Sequence, residues 1–203
     1  MLKYSKVHSP KRQVVRKKSP KKMEPPKRPT HERGLVVLDI DGTLIDTVSG
    51  STPRPKYKKR ILQFEDHSIY GRPYAKSFIR YLLKKYDVGI WTFATGDYAM
   101  AIIRDGLGFD PKEFVFFYTR DFPPPFDRKH DLTVKQIERL PTTHRKRILI
   151  DDNLYNVMTN EKDRSTPHHR AIRVKEYKVH KPQASGDIEL NRIKKIIIDR
   201  LGY

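Results

Sequence analysis

Apolar residues in this chain fall into short unbroken runs, separated by stretches in which they recur every three or four positions. Leu35-Val36-Val37-Leu38 is the clearest run, and Val88–Trp91, Phe114–Tyr118, Arg147–Ile150 and Ala171–Val174 resemble it. Runs this short and rich in branched side chains suit strands of a parallel sheet buried on both faces. Between them, Phe78, Ile79, Leu82, Leu83 and Tyr86 repeat at helical spacing after Arg72-Pro73, a pair that suits a first helical turn. Gly96-Asp97-Tyr98 opens a second helix with Ala99, Ile102 and Ile103 inward, ended by Gly106 and Gly108. A third is predicted over Thr133–Leu140, with Lys135 near its start. The last covers Asp187–Leu201, with Ile188, Ile193, Ile196, Ile197 and Leu201 on or near one face, acids Asp187 and Glu189 at its start and Arg200 at its end. Lys56–Ile69 reads as a short hairpin. Strands alternating with helices predict an α/β fold with right-handed crossovers and a parallel sheet.

Three strands end in polar groups with chemical potential. The first runs into Asp39-Ile40-Asp41-Gly42-Thr43, the second into Thr92, and Arg147–Ile150 into Asp151-Asp152. Ligands of open α/β sheets bind beyond the carboxyl ends of strands, so these groups are expected to converge. Asp-x-Asp-Gly-Thr alone also reads as an ordinary surface turn, since Asp and Gly favour turns. Gathered carboxylates repel one another by about 4 kcal/mol per pair at 4 Å and an effective dielectric of 20, and a divalent cation offsets that. With oxygen donors alone the hard ion Mg²⁺ is expected, and it would also neutralise a phosphate. Lys135 adds positive charge, and Thr43 and Thr92 offer hydrogen-bond donors to phosphoryl oxygens.

Composition narrows the classes. The 203 residues carry a net charge of +19. Residues 1–30 hold eleven Lys/Arg against Glu24 alone and so contribute +10, leaving +9 for residues 31–203. Few apolar groups accompany them, so residues 1–30 are expected to be a disordered basic arm before a single domain over 31–203. Ser9-Pro10-Lys11-Arg12 and Ser19-Pro20-Lys21-Lys22 resemble the Ser-Pro-basic repeats of chromatin proteins, and Arg16-Lys17-Lys18 resembles a nuclear localisation signal; a plain solubilising tail is the alternative. Such an arm implies acidic partners, nucleic acid or phosphoprotein. No cysteine is present, which removes disulfide scaffolds and thiolate nucleophiles. Without an apolar run of about 20 residues or a secretory core, a soluble intracellular protein without a membrane partner is expected. Gly106 and Gly108 lack the third glycine of a dinucleotide fingerprint, Phe122–Phe126 reads as a stiff connector, and His168-His169 as solvated loop residues rather than a metal pair.

The order DIDGT, WTFATGDYA, VKQIERL, ILIDDN resembles the haloacid dehalogenase (HAD) superfamily, and within it the FCP/SCP group, the NLI-interacting-factor-like phosphatases acting on the RNA polymerase II C-terminal domain. Tyr98-Ala99 follows Thr92 at the group's spacing, Lys135 precedes Asp151 by sixteen residues, and Arg72-Pro73 and Asp187-Ile188-Glu189-Leu190 match its flanking segments. The resemblance covers residues 33–203. It implies a Rossmann-like fold with a short hairpin insertion and no large cap. It further implies Asp39 as nucleophile forming an aspartyl-phosphate, Asp41 as general acid and base, and Thr92 and Lys135 on the phosphoryl group. Mg²⁺ would sit on Asp39, Asp41 through its backbone carbonyl, and Asp152, with Asp151 in support. A phosphorylated RNA polymerase II C-terminal domain and a nuclear or cytoplasmic location are what the group implies. The group usually carries Glu where this chain has Gly42, and its last motif does not read Asp-Asp-Asn. An end phosphatase of nucleic acid, a small-molecule phosphatase and a non-catalytic basic binding protein are the competing readings.

Overall fold

The computed structural model describes residues 33–53, 55, 58–126, 134–162 and 169–201. In chain order the elements are β1 (Leu35–Leu38), β2 (Ile45–Ser49), β3 (Leu62–Phe64), β4 (His67–Gly71), α1 (Ala75–Lys85), β5 (Asp87–Trp91), α2 (Gly96–Ala101), β6 (Phe117–Tyr118), β7 (Arg147–Asp151), α3 (Leu154–Lys162), β8 (His169–Arg173) and α4 (Glu189–Leu201). Five strands form a wholly parallel sheet in the order β6-β5-β1-β7-β8, with β1 central. The remaining three form a separate antiparallel sheet, β2-β4-β3. The basic arm, its Ser-Pro blocks, His168 and Thr133 lie outside the described residues.

The apolar run of β1 is unbroken because both of its faces are covered. Val36 and Leu38 join one core cluster with Ile79 and Leu82 of α1 and Ile193 and Ile197 of α4, while Leu35 and Val37 join another with Trp91, Ile137, Leu149 and Val157. All four side chains of β1 have no exposed surface. Burying a side chain of this size is worth about 1.5–3 kcal/mol, so the sheet centre holds both layers together. Gly89 of β5 is required by the second layer: a Cβ there would lie 2.2 Å from the Phe116 ring.

Several elements differ from the sequence expectation. The hairpin of 56–69 gains a third strand, β2, which continues from the first motif and pairs with β4. Helix α1 begins at Ala75 because Arg72 is spent elsewhere: its backbone N–H donates to the Leu44 carbonyl, and its buried guanidinium donates to the Thr43 and Lys175 carbonyls and to Asp187. Helix α2 runs into one wide turn, Ile102–Gly106, and only Phe117–Tyr118 of 114–118 pairs as strand. Ile188 precedes α4 and is 65% exposed, so it is not part of the buried face.

The helix expected over 133–140 reduces to a three-residue turn, Ile137–Arg139. Its backbone bonds go outward instead. Lys135 and Ile137 donate their N–H groups to the side chains of Asn156 and Asn160, 3.1 and 3.0 Å away, and Asn160 Nδ2 returns a bond to the Lys135 carbonyl. Those asparagines belong to α3, which the sequence did not announce. The helix turns Asn156 and Asn160 inward beside Val157 and leaves Leu154, Tyr155 and Met158 exposed, so no amphipathic signature is readable.

Candidate active site

The carboxyl ends of β1, β5 and β7 open into one cleft of about 550 Å³, lined by Asp39, Asp41, Thr92, Lys135, Asp151 and Asp152 together with Thr47, Phe64, Tyr98, Arg120 and Asn156. The sequence-predicted groups therefore meet, with one exception. Thr43 is fully buried and does not line the cleft. Its N–H donates to the Ile40 carbonyl at 3.3 Å, in a tight turn that also bonds Gly42 to Ile45 and Leu44 to Ile40. The turn folds the threonine beneath the site.

At the cleft floor the Lys135 ammonium bridges two carboxylates, 2.5 Å from Asp39 Oδ1 and 2.8 Å from Asp151 Oδ2. Only 1% of its side chain is exposed, and the ammonium also lies 5.1 Å from the Phe93 ring centroid. Burial works to lower the affinity of Lys135 for its proton, but the Asp39 and Asp151 carboxylates outweigh it and raise the pKa. Asp151 is the most heavily bonded of the three acids here, because it also accepts from the Asn153 N–H at 2.8 Å and Asn156 Nδ2 at 3.0 Å. Its part is to anchor the lysine and the following turn.

Asp39 and Asp152 are in the opposite condition. Burial pushes Asp39 up to about 7, with Asp151 and Asp152 adding to the rise against Lys135. Asp152 is pushed up to about 6, again by burial first and then by Asp151. One oxygen from each of Asp39, Asp151 and Asp152 lies within 4.8 Å of the others. Three carboxylates clustered around the Lys135 ammonium, two of them holding protons abnormally well, make an all-oxygen site short of positive charge. A hard divalent ion fits it. The Asp41 carboxylate stands outside that cluster and accepts from Tyr98 Oη at 2.7 Å, with Thr47 Oγ1 3.4 Å from the same oxygen. Burial raises its pKa, against both hydrogen bonds.

Gly42 is set by Asp152. Its φ of +74° is in the left-handed region, and a Cβ there would lie 2.5 Å from Asp152 Oδ2. A larger residue would have to push the carboxylate away. Gly42→Ala should therefore weaken divalent-ion binding at least tenfold and destabilise the fold by about 1–2 kcal/mol for the left-handed backbone alone. Calorimetric titration with Mg²⁺ and urea unfolding measure the two; unaltered ion affinity would separate Gly42 from Asp152.

Sequence reasoning quoted Tyr98 only as a motif position and Arg72 only as part of a helix start, and it passed over Thr47, Asn156 and Asn160. Nothing local marks Thr47 for the site, and the Arg72-Pro73 pair does not show that the guanidinium reaches partners 29 to 115 residues away.

A model of the NLI interacting factor-like phosphatase family matches residues 34–200. The putative CTD phosphatase-like protein 355R of Invertebrate iridescent virus 3 is 35% identical over 83 residues, 37% of this chain and 45% of that protein. Its counterpart in Invertebrate iridescent virus 6 is 28% identical over 174 residues, 80% of this chain and 96% of that protein. An RNA polymerase II C-terminal domain phosphatase of Encephalitozoon cuniculi is 27% identical over 58% of this chain, which spans 28% of that enzyme. Among solved structures, fission yeast Fcp1-R271A bound to beryllium fluoride, an RNA polymerase II CTD phosphatase, superposes with a TM-score of 0.48 at 20% identity, covering 84% of this chain and 51% of that one. With the family model spanning the whole parallel sheet and its site, the chain belongs to the NLI interacting factor-like phosphatases.

Proposed function

We propose that this chain is a Mg²⁺-dependent phosphoric monoester hydrolase that works through an aspartyl-phosphate on Asp39 and acts on phosphoserine or phosphothreonine in polypeptides. The observation that carries it is the pairing at the cleft floor: Lys135 holds Asp39 Oδ1 at 2.5 Å, which leaves Oδ2 free to attack phosphorus. An Asp39 oxygen forms the new P–O bond as the ester P–O bond breaks, and Asp41 gives its proton to the departing seryl oxygen. In the second half Asp41 takes a proton from water, whose oxygen bonds phosphorus, and the acyl-phosphate bond breaks to restore Asp39. Lys135 and Thr92 hold the phosphoryl oxygens; the Thr92 hydroxyl accepts from the Ala94 N–H at 3.2 Å and keeps its own hydrogen for that purpose. Asp39, Asp152 and the Asp41 carbonyl would hold Mg²⁺, supported by Asp151. The ion neutralises the phosphate charge that the carboxylates repel.

A polypeptide substrate agrees with the cleft, which is open between the β2-β4-β3 sheet and the loop after β5. The relatives' names point to a phosphorylated RNA polymerase II C-terminal domain, and with it to a nuclear setting. No helix among the described residues is long and apolar enough to cross a membrane. The +19 charge favours one second reading, an end phosphatase of nucleic acid contacted through the basic arm. Phosphate release from phosphoserine heptad peptides and from 3′-phosphorylated oligonucleotides, measured side by side with Mg²⁺, decides between them. Turnover of the oligonucleotide alone would overturn the polypeptide reading.

Mg²⁺ binding should depend on pH, because the ion must displace the protons held by Asp39 and Asp152. Their folded pKa values of about 7 and about 6 lie above the ordinary carboxylate range. Affinity is therefore full above pH 7 and lost as pH falls through 7 to 5, by up to about tenfold per unit for each proton displaced. Calorimetry in buffers of different ionisation enthalpy measures the released protons; a constant affinity from pH 5 to pH 8 would contradict the assignment.

A further inference from the structure

The antiparallel sheet reaches into the site at one point. Thr47 is on β2, Tyr98 is on α2, and their hydroxyl oxygens are 2.5 Å apart. Tyr98 Oη donates to Asp41 Oδ1 at 2.7 Å, while Thr47 Oγ1 lies 3.4 Å from the same oxygen. The Tyr98 ring is held edge-on by Phe64 of β3, with centroids 5.4 Å apart. Two strands of the insertion thus fix one tyrosine, and that tyrosine fixes one oxygen of one carboxyl group.

We propose that Tyr98 and Thr47 are positioning residues that commit Asp41 Oδ1 to accepting hydrogen bonds, so that the transferable proton resides on Oδ2. The inference rests on the role of Asp41 given above. Its chemistry is that of a directed chain: Thr47 donates to Tyr98, Tyr98 donates to Oδ1, and successive donors polarise one another. A proton on Oδ1 would meet the phenol hydrogen and cost that bond. A proton on Oδ2 leaves the chain intact. Burial and the neighbouring Asp41 carboxylate raise the phenol pKa, which keeps Tyr98 a neutral donor in both half-reactions. Without the chain, Asp41 can rotate and protonate on either oxygen, and only a fraction of encounters present an acid to the leaving group. General acid catalysis contributes typically 10²–10⁴-fold, so its misalignment is measurable without being total.

The consequence is selective. An alkyl oxygen leaving from phosphoserine needs the proton from Asp41; a nitrophenolate leaves without it. The constant kcat/KM reports steps up to the first phosphoryl transfer, before the water attack common to both substrates. Tyr98→Phe and Thr47→Val should each lower kcat/KM for a phosphoserine peptide by about tenfold or more while changing kcat/KM for p-nitrophenyl phosphate less than about threefold. Thr47→Ser, which keeps the hydroxyl, should restore the wild-type ratio. An equal fall for both substrates, or no fall for the peptide, overturns the inference, since a merely structural role would not discriminate leaving groups. Should Tyr98→Phe fail to fold, the Thr47→Val and Thr47→Ser pair decides the matter. A wild-type chain inactive on both substrates with Mg²⁺ overturns the phosphatase reading itself, and this outcome is visible before any variant is made.

Discussion

Asp39→Asn should abolish phosphate release from both aryl phosphate and phosphopeptide, lowering kcat by roughly four orders of magnitude or more, as loss of a covalent nucleophile does. Stability should move the other way. Burial raises the pKa of Asp39, so its ionised form is the disfavoured one in the folded, metal-free chain. A neutral amide removes that penalty, and Lys135 keeps Asp151 at 2.8 Å as a partner. The metal-free variant should melt at or above the wild-type temperature at pH 8 and lose most of the Mg²⁺-induced rise. Activity within tenfold of wild type would remove Asp39 from the reaction.

Lys135→Met is expected to have the largest effect on the fold. The ammonium is bonded to both buried carboxylates, and truncating one partner of a buried charge group costs about 3–5 kcal/mol. The direction of the pH dependence follows. Burial already raises the pKa of Asp39 against the pull of Lys135, so with the lysine gone Asp39 holds its proton more strongly still in the folded state than in the unfolded one, and stability is present at low pH and lost as pH rises through the folded pKa. Urea unfolding of metal-free protein should therefore give a deficit that is large at pH 8 and smaller at pH 5, with Mg²⁺ recovering part of it at pH 8. A deficit independent of pH would mean that lost packing, rather than unpaired carboxylate charge, dominates.

The parallel sheet was legible because its central strands are buried on both faces and so read as unbroken apolar runs, a pattern that overreached only at the edge, where 114–118 supplies just the two-residue strand Phe117–Tyr118. The site was legible for a related reason: Asp39, Thr92 and Asp151 each follow an apolar run directly. Helix α3 was hidden because its inward face sets Asn156 and Asn160 beside a single apolar Val157, and the value of the asparagines lies in the backbone they satisfy at 135–137. The same bonds explain the missing helix around Lys135, since an extended segment with its N–H groups already taken has no need of helical ones. Thr43 misled because its residue type suits an anion site; the turn that buries it depends on contacts from Ile40 and Ile45 that composition does not reveal.

Arg72 gives the chain's far end a stake in its beginning. Its guanidinium fastens the carbonyl of Thr43, the carbonyl of Lys175 and the carboxylate of Asp187 at 2.7–3.1 Å. Segments separated by more than a hundred residues thus share one rigid rivet behind the reacting groups. Any event that loosens the closing helix, whether a cut, a modification near Asp187 or a partner pulling on it, would be felt at the first motif as a change in geometry rather than as the loss of a distant appendage.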